Sequence, residues 1–484
     1  MKKKFLIVVP HQDDELILAG PFMDQIIAIW EVFVIFTTNG DYGLKMRKNY
    51  RLEEAIKALS IFGIKKENII FCGYGDKWKG KHIYNSMPDD LKESSCGMKT
   101  TYALESHEDF HYMKYGKHAV YTRRNYLLDL KESVKEIYAD IILCVDLDNH
   151  PDHIATSLFF EEAIGKIFKE CPDYKPIILK RYAYEGSWFG KSDYWYKRKT
   201  LYSQKQHKFS KFGFLLNTPS YTFENAIHIN TSYNILTDNI KNSKLYKAAS
   251  EYKTQPLYLR LHRVLNSDSV VWWRSSNNLM FNAKIFVSSG DGKYLNDFKI
   301  TDCKNVNTNK LSDYMDIGWI PEKNDLSKKV TIVFKNPVQI AEIRLYEIIS
   351  NNSHIKNCKI VIDKRKVIYS GDFNVVAGCN YIYLQIIIQN VNIVELNICE
   401  WTGDSPGLSE IEIFPDIQDV NNVIEQLSFK VPLIHEEKCF FKNLFFSCYY
   451  NLNYFFKFKL YFGYRKIINI LTMIKNIGAE FKEK

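Results

Sequence analysis

The order of strand and helix signals over residues 4–184 constrains the fold more than any other feature of this sequence. Short apolar runs rich in β-branched residues alternate there with segments whose apolar residues recur at helical spacing. Strands separated by helices form βαβ units, which build parallel sheets whose strands are buried on both faces. The pattern therefore predicts an α/β fold with a parallel sheet. The predicted strands are 5–9, 31–38, 68–72, 140–145 and 177–184, and the predicted helices are 47–62, 125–138 and 153–171.

Two further textures follow along the chain and predict two more regions. After about residue 278, short strand-like segments are separated by Asn, Gly, Asp and Pro, which is typical of an all-β sandwich. These segments are 283–287, 330–334, 340–346, 358–362, 381–388 and 411–414. From residue 417 the sequence is aromatic and basic without strand punctuation. We therefore predict a Rossmann-like α/β domain with helices on both faces of its sheet at 1–275, a β-sandwich at 279–415 and a helical tail at 417–484.

Most of the net charge lies in the tail. Of the +9 overall, +7 comes from the residues between Lys438 and Lys484, where nine Lys or Arg stand against two Glu. Residues 439–464 also contain 13 Phe or Tyr, and no stretch reaches the ~20 apolar residues that a membrane span needs. The tail fits either an interfacial amphipathic helix at an anionic membrane or a helical hairpin packed on the sandwich or on a second subunit. Since the rest of the chain is nearly neutral, we predict no nucleic-acid partner, and the oligomeric state stays open.

The cysteines and the first residues indicate the compartment. Ten cysteines without a CxxC pair or a regular spacing indicate neither a zinc knuckle nor a disulfide framework. The basic start is followed by only a short apolar run before Pro10, whereas the core of a signal peptide needs about 7–15 such residues. We therefore expect a cytoplasmic protein, in contact with the inner face of the cytoplasmic membrane if the tail binds lipid.

Two polar motifs stand directly after predicted strands. HQDDE at 11–15 follows the first strand, and HPDH at 150–153 follows the strand predicted at 140–145. The carboxyl ends of parallel strands form the ligand-binding edge of such a sheet, so both motifs should project into it. Pro151 suits the first position of a helix, which puts His153 in the first helical turn.

The residue types in these motifs suit a metal-dependent hydrolase. His11, Asp14 and His153 would supply two imidazoles and a carboxylate, a zinc set with an open fourth position. Such a zinc, or another divalent metal, lowers the pKa of bound water and polarises a carbonyl. Asp13 is then placed to take a proton from the water. His150 could stabilise an oxyanion or protonate a leaving amine.

Asp152 could hold His150 in the tautomer that this role needs. Two alternatives remain open at this point. Acidic residues before a helix can be mere N-caps, and two histidines with a carboxylate can also hold ferrous iron.

The two motifs resemble the signatures of the LmbE-like, or PIG-L, family of zinc-dependent de-N-acetylases. Four further segments are similar to the family in the family's order: TNGD at 38–41, RLEEA at 51–55, GYGD at 73–76, and KAA at 247–249 with Thr254 and Gln255. The resemblance spans about residues 4–275. One departure is Gln12, which stands where the family most often has proline.

This resemblance implies hydrolysis of the N-acetyl group of an amino sugar, typically N-acetylglucosamine in a glycan, glycolipid or sugar conjugate. Carried over by position, it implies that the zinc ligands are His11, Asp14 and His153, that Asp13 is the general base, that His150 and Asp152 assist, and that Arg51 contacts the substrate. The competing hypotheses are a non-catalytic glycan-binding protein with a drifted deacetylase domain, and the same hydrolysis on a non-sugar amide.

Two further features carry open alternatives. GWI at 318–320, IRLY at 343–346 and GLSEIEIF at 407–414 resemble a discoidin-like, galactose-binding type of sandwich. In it, Trp319 and Trp401 could either stack on sugars or belong to the core. The polar segment 73–121 predicts an active-site loop or lid. Its histidines, His82, His107, His111 and His118, could bind a second metal or face solvent and substrate.

Overall fold

A computed structural model gives the architecture of the chain. It describes residues 2–42, 50–183, 226–232, 234–235, 240–259, 261, 268–308, 310–373 and 378–427. The predicted tail therefore lies outside the described residues from 428 onward. Within the described residues, no helix is both long and apolar enough to cross a membrane.

Seven strands form the first sheet, in the order β3-β2-β1-β4-β5-β7-β6. They are β1 (Lys4–Val9), β2 (Glu31–Thr38), β3 (Ile69–Tyr74), β4 (Ile141–Val145), β5 (Ile177–Arg181), β6 (Ile227–Asn230) and β7 (Asp268–Arg274). The first five pair in parallel, as predicted. Successive residues of β1 and β4 are all buried apart from Lys4, so helices or loops cover both faces of the sheet there.

The last two strands lie outside the segments predicted as strands. Strand β7 pairs antiparallel with β5, and β6 pairs antiparallel with β7. An antiparallel edge is common on an otherwise parallel sheet, because it needs no helical crossover to return the chain. The sheet is thus mostly parallel, with an antiparallel edge that the sequence did not predict.

Eight α-helices are described, and their starts follow local sequence signals. They are α1 (Asp14–Leu18), α2 (Met23–Ile29), α3 (Tyr50–Ile61), α4 (Phe110–Tyr115), α5 (Arg123–Ile137), α6 (Pro151–Glu170), α7 (Lys244–Glu251) and α8 (Val420–Leu427). The hydroxyls of Thr122 and Ser243 cap α5 and α7 by accepting a backbone N–H. Pro151 occupies the first turn of α6, as predicted. The predicted helices are therefore present, with ends that differ by a few residues.

The second part of the chain forms an all-antiparallel sheet in the order β11-β10-β12-β9-β13, with β8 pairing β9. Its strands are β8 (Ala283–Val287), β9 (Lys329–Glu347), β10 (His354–Ile362), β11 (Lys366–Asp372), β12 (Cys379–Thr402) and β13 (Leu408–Phe414). The two segments predicted at 330–334 and 340–346 are one long strand, β9. It pairs β8 along its first part and β13 along its last part, so one core contains side chains from both parts.

Buried charges connect the two sheets. Lys180 on β5 donates to Glu161 on α6 over 2.9 Å and lies 3.5 Å from Asp146 at the end of β4. Arg274, the last residue of β7, donates to Glu412 on β13 over 3.1 Å and lies 4.0 Å from Glu161. We call these five residues the interface charge cluster. It links the loop after β4 to the second sheet through groups that are almost fully buried.

Candidate active site

The fold brings the two predicted motifs together. Strands β1 and β4 are parallel neighbours, so the loops that follow them leave the same edge of the sheet. Asp14 lies between the two motif histidines, because its Oδ2 is 3.0 Å from Nδ1 of His11 and 3.1 Å from Nε2 of His153. Asp14 and His153 are fully buried, and His11 is nearly so.

These three side chains fit a zinc ion by their donor atoms and spacing. A tetrahedral zinc with ligands at ~2.1 Å holds its ligand atoms roughly 3.4 Å apart, a little more than the 3.0 Å and 3.1 Å between Asp14 and the two imidazoles. The second oxygen of Asp14 is buried without a hydrogen-bond partner among the described residues. A set of three imidazoles is an alternative, since His11, His150 and His153 each offer a ring nitrogen within 4.8 Å of the others.

A carboxylate stands behind each imidazole of the predicted metal set. Asp148 Oδ2 is 2.7 Å from Nδ1 of His153, and Asp152 Oδ2 is 3.4 Å from Nε2 of His11. Metal-bound histidines commonly donate their other ring N–H to such a carboxylate, which fixes the ring and its tautomer. The nitrogens that face Asp14 are then the ones left for a metal.

The surrounding charges favour a cation in this pocket. Burial opposes a charge on His153, yet Asp14 and Asp148 raise its pKa to about 10. Against the effect of burial, His153 and His11 lower the pKa of Asp14 well below its usual value. The site therefore stabilises positive charge, which either protons or a metal ion can supply.

His150 differs from His153, because its pKa is lowered and its side chain is partly exposed. Burial, with the neighbouring imidazoles of His11 and His153, lowers its pKa to about 4. Its Nδ1 accepts the backbone N–H of Asp152, so the proton of the neutral ring is on Nε2. Its side chain is 27% exposed, against 4% or less for His11, Asp14 and His153.

Asp13 is held in a strained conformation beside the predicted metal ligands. Its φ of 131° lies in a region that only glycine favours, which costs roughly 1–3 kcal/mol and is typical of functional sites. Its backbone N–H donates to Glu15 over 3.0 Å, and its Oδ1 accepts from Arg51 over 3.0 Å. Burial raises the pKa of Glu15 to about 8, and Tyr252 donates its hydroxyl to it.

Arg51 lies beneath the first motif and is only 6% exposed. Besides Asp13, it donates to the carbonyl of Gln12 over 3.1 Å and to that of Gly40 over 3.1 Å. Arg51 therefore binds the loop that carries Asp13, the predicted base. Gln12 itself donates to the carbonyl of Thr38 over 2.7 Å, which ties this loop to the end of β2 where the family most often has proline.

The remaining family-like segments also lie around this loop. Asp41 accepts the backbone N–H of Asp76 over 2.9 Å, which joins the ends of β2 and β3. Thr254, from the late segment, donates its backbone N–H to Glu54 on α3 over 2.9 Å. Residues far apart in the sequence therefore pack around one site.

The sequence analysis assigned no site role to Asp148 or Asp76, and it considered His82 only as a ligand of a second metal or as a residue facing solvent or substrate. Asp148 lies two residues before His150 at the carboxyl end of β4, a position that could have revealed it. Asp76 Oδ1 lies 3.7 Å from Nε2 of His11, and His82 Nε2 lies 3.1 Å from Oδ1 of Asp152. Both belong to the irregular segment 73–121, where no periodicity indicates which side chains turn inward.

The other histidines of that segment lie elsewhere. His107 hydrogen-bonds the carbonyl of Ile69 at 2.6 Å, and His111 hydrogen-bonds Asp129 at 2.7 Å. His118 contacts Asp109 at 2.5 Å, and these two with Glu108 form a cluster of metal-ligand type away from the two motifs. Of these four histidines, His82 is the one whose described contacts include a predicted site residue.

The tryptophans considered for the second sheet differ in position. Trp319 is fully buried and donates its indole N–H to the carbonyl of Ser289 over 2.8 Å, so it belongs to the core. Trp401 is 37% exposed, and the ammonium of Lys328 lies 4.2 Å from its ring centre.

A family model described as PIG-L: GlcNAc-PI de-N-acetylase matches residues 6–164. This part of the chain is a PIG-L domain. The matched residues include both motifs, the strands β1 to β4 and most of helix α6. No curated protein matches the chain.

Several solved structures are similar to a little over a quarter of the chain. The family 32 CBM of Clostridium perfringens NanJ in complex with galactose has 12% identity and a TM-score of 0.23, covering 28% of this chain and 95% of its own. CpGH89CBM32-5 of Clostridium perfringens, in complex with GalNAc-β-1,3-galactose, has 15% identity and a TM-score of 0.23, covering 28% and 97%. The lectin domain of lectinolysin complexed with Lewis B antigen has 13% identity and a TM-score of 0.23, covering 29% and 97%.

Proposed function

We propose that this PIG-L domain is a metal-dependent hydrolase that removes the N-acetyl group from an N-acetylated amino sugar of the N-acetylglucosamine type. Its setting would be the synthesis of a glycan, glycolipid or sugar conjugate. The observation that carries the proposal is the position of Asp14, which lies within hydrogen-bond distance of two buried imidazoles, one from its own motif and one from the other, and next to a strained, buried Asp13.

His11, Asp14 and His153 would hold the metal. Bound zinc would lower the pKa of a water molecule and polarise the acetyl carbonyl. The carboxylates of Asp148 and Asp152 support the proposal, since they orient the two imidazoles from behind.

The other residues of the site would move protons and stabilise charge. Asp13 takes a proton as the water oxygen adds to the acetyl carbon, and Arg51, which donates to Oδ1 of Asp13, orients this carboxylate. His150, neutral with its proton on Nε2, donates a hydrogen bond to the carbonyl oxygen as that atom gains negative charge. The C–N bond then breaks, acetate leaves, and the sugar nitrogen takes up the proton to become a free amine.

Asp13→Asn tests the assignment of the base. We expect acetate release from a panel of N-acetylated sugars, nucleotide sugars and lipid-linked sugars to fall at least about 100-fold. Zinc content should stay at the level of the unchanged chain, because Asp13 is not among the proposed ligands. Asp89→Asn, at an exposed residue paired with Arg124, is the matched control and should leave acetate release unchanged.

Two outcomes would contradict the proposal. Undiminished acetate release by Asp13→Asn would remove Asp13 as the base. No acetate release by the zinc-loaded chain from any sugar would favour either of the other hypotheses. Sugar binding by the full chain would then support a glycan-binding protein, and release of acetate from a non-sugar amide would support the same chemistry on another substrate.

A further inference from the structure

His82 is buried beside the proposed site, and the mechanism above does not use it. It lies in the segment 73–121, directly before a single 3₁₀ turn, Ile83–Asn85. Its Nε2 is 3.1 Å from Oδ1 of Asp152, and both side chains are about 3% exposed. Since a buried polar contact of this kind excludes water, the two groups determine each other's orientation.

The turn after His82 fixes which nitrogen carries the proton. Nδ1 of His82 accepts the backbone N–H of Tyr84 over 3.1 Å. An acceptor nitrogen of a neutral imidazole bears no hydrogen, so the proton is on Nε2. His82 therefore donates this N–H to Oδ1 of Asp152.

Holding one oxygen of Asp152 also sets the direction of the other. Oδ2 of Asp152 lies 3.4 Å from Nε2 of His11 and 3.6 Å from Nδ1 of His150. One of these imidazoles is a proposed metal ligand, and the other is the proposed oxyanion donor. A rotation of the Asp152 carboxylate would change both contacts at once.

The turn that carries His82 is held by a loop that precedes the long strand β9. Tyr84 donates its hydroxyl to Oδ1 of Asp302 over 2.6 Å, and Asn85 donates to the carbonyl of Cys303 over 2.8 Å. Asn85 in turn accepts the backbone N–H of Val306 over 3.0 Å. These three hydrogen bonds join residues more than 200 positions apart in sequence.

We propose that His82 is a positioning residue of the PIG-L site, which orients Asp152 through its Nε2–H, and that the loop 302–306 holds His82 in place. The kinetic part of this inference rests on the proposed function, whereas its effect on zinc does not. The matched part of the chain would then depend for its site geometry on residues that lie beyond it.

Two substitutions of His82 separate its two hydrogen bonds. His82→Asn keeps an acceptor for the N–H of Tyr84, because its amide oxygen lies where Nδ1 lay, but it cannot reach Asp152. His82→Gln keeps a donor near the position of Nε2 but gives up the acceptor that caps the turn. Each variant of the full chain is tested for kcat and KM, for zinc retention against a chelator, and for its thermal unfolding midpoint.

We expect His82→Asn to lower kcat by about 10–100-fold, with KM changed less than about threefold, and to weaken zinc retention about tenfold. His82→Gln should restore most of kcat and of zinc retention, even if its unfolding midpoint is the lower of the two. Equal losses in the two variants, or no loss in His82→Asn, would overturn the positioning role. If the unchanged chain releases no acetate, the difference in zinc retention between the two variants decides, so the proposed function can fail without this inference.

Tyr84→Phe tests the part played by the loop. It removes only the hydroxyl that donates to Asp302, at a residue that contacts His82 through its backbone. We expect zinc retention and kcat to fall by about threefold to tenfold, in the same direction as in His82→Asn. Values equal to those of the unchanged chain would overturn the role of the loop.

Discussion

Adding one methyl group at Gly40 should displace Arg51 from the loop that carries Asp13. Gly40 has a φ of +56°, and a Cβ built on it would lie 2.5 Å from Nη1, 2.7 Å from Cζ and 2.8 Å from Nε of Arg51. The guanidinium cannot retreat freely, because it donates to the carbonyls of Gln12 and Gly40 and to Asp13. In Gly40→Ala, either the backbone of this turn or the Arg51–Asp13 ion pair must change.

Two costs add up in this variant. Placing alanine in the left-handed region costs roughly 1–2 kcal/mol. Breaking one side of a buried ion pair costs about 3–5 kcal/mol, because it leaves a charge without compensation. Gly116→Ala is the matched control, since Gly116 has a φ of +70° with no atom within 4 Å of the built Cβ. Gly116→Ala should lose only the roughly 1–2 kcal/mol that an alanine in the left-handed region costs.

Thermal unfolding midpoints and acetate release measure the difference. Midpoints are compared between variants, because a chain with several domains need not unfold in one step. We expect Gly116→Ala to lower the midpoint slightly and to keep its acetate release. Gly40→Ala should lower the midpoint further and reduce acetate release at least about 100-fold, as loss of an oriented base would. Equal effects in the two variants would refute the reasoning that Gly40 makes room for Arg51 and that Arg51 holds Asp13.

Three other predictions follow from the contacts described. Asp148→Asn removes the charge behind His153, so a chelator should withdraw zinc about 10–100 times more readily, and unchanged zinc retention would contradict this. Arg274→Met and Glu412→Gln should each lower the free energy of unfolding by about 3–5 kcal/mol, measured by denaturant unfolding, and the double variant should lose less than the sum of the two. Additive losses would show that the pair is not coupled. Truncation after Leu427, which keeps the described helix α8, should abolish flotation with anionic liposomes if the tail binds lipid, and equal flotation would exclude that contact.

The convergence of the two motifs could be predicted from the sequence because each follows a buried strand. Parallel strands end on the same edge of a sheet, so HQDDE and HPDH had to approach one another once their strands were recognised. Pro151 fixed the start of α6, and with it the place of His153 in the first turn. Both predictions rest on local signals, namely the apolar pattern of a buried strand and a proline in the first turn of a helix. The structure contains the corresponding strands β1 and β4 and helix α6.

The contacts that involve irregular backbone could not be predicted in this way. His82 reaches Asp152 only because the segment 73–121 folds back over the sheet edge, and nothing in its spacing specifies that path. Asp13 has a φ of 131° that no sequence rule assigns to an aspartate. In both cases tertiary contacts decide the conformation.

The long strand β9 shows a different limit. Its middle, with Pro337, has the punctuation of a loop, so the sequence predicted two strands. The structure keeps one strand because β12 pairs both of its parts, while β8 pairs the first part and β13 the last, and residues 335–337 are exposed between these pairings. Proline is tolerated where no neighbouring strand needs its missing N–H.

The interface charge cluster has a consequence for how this chain could have been assembled. The PIG-L match ends at residue 164, inside helix α6, and Glu161 lies just before that point. Its partners Lys180 and Arg274 come later, and Arg274 in turn contacts Glu412 on the far sheet. A recombination event that exchanged only the second sheet could replace Glu412 by another residue and would then leave the buried Arg274 without this partner. We therefore expect the two sheets to be inherited together. The segment that recombination can exchange without loss of stability is then longer than residues 6–164, which match the family model.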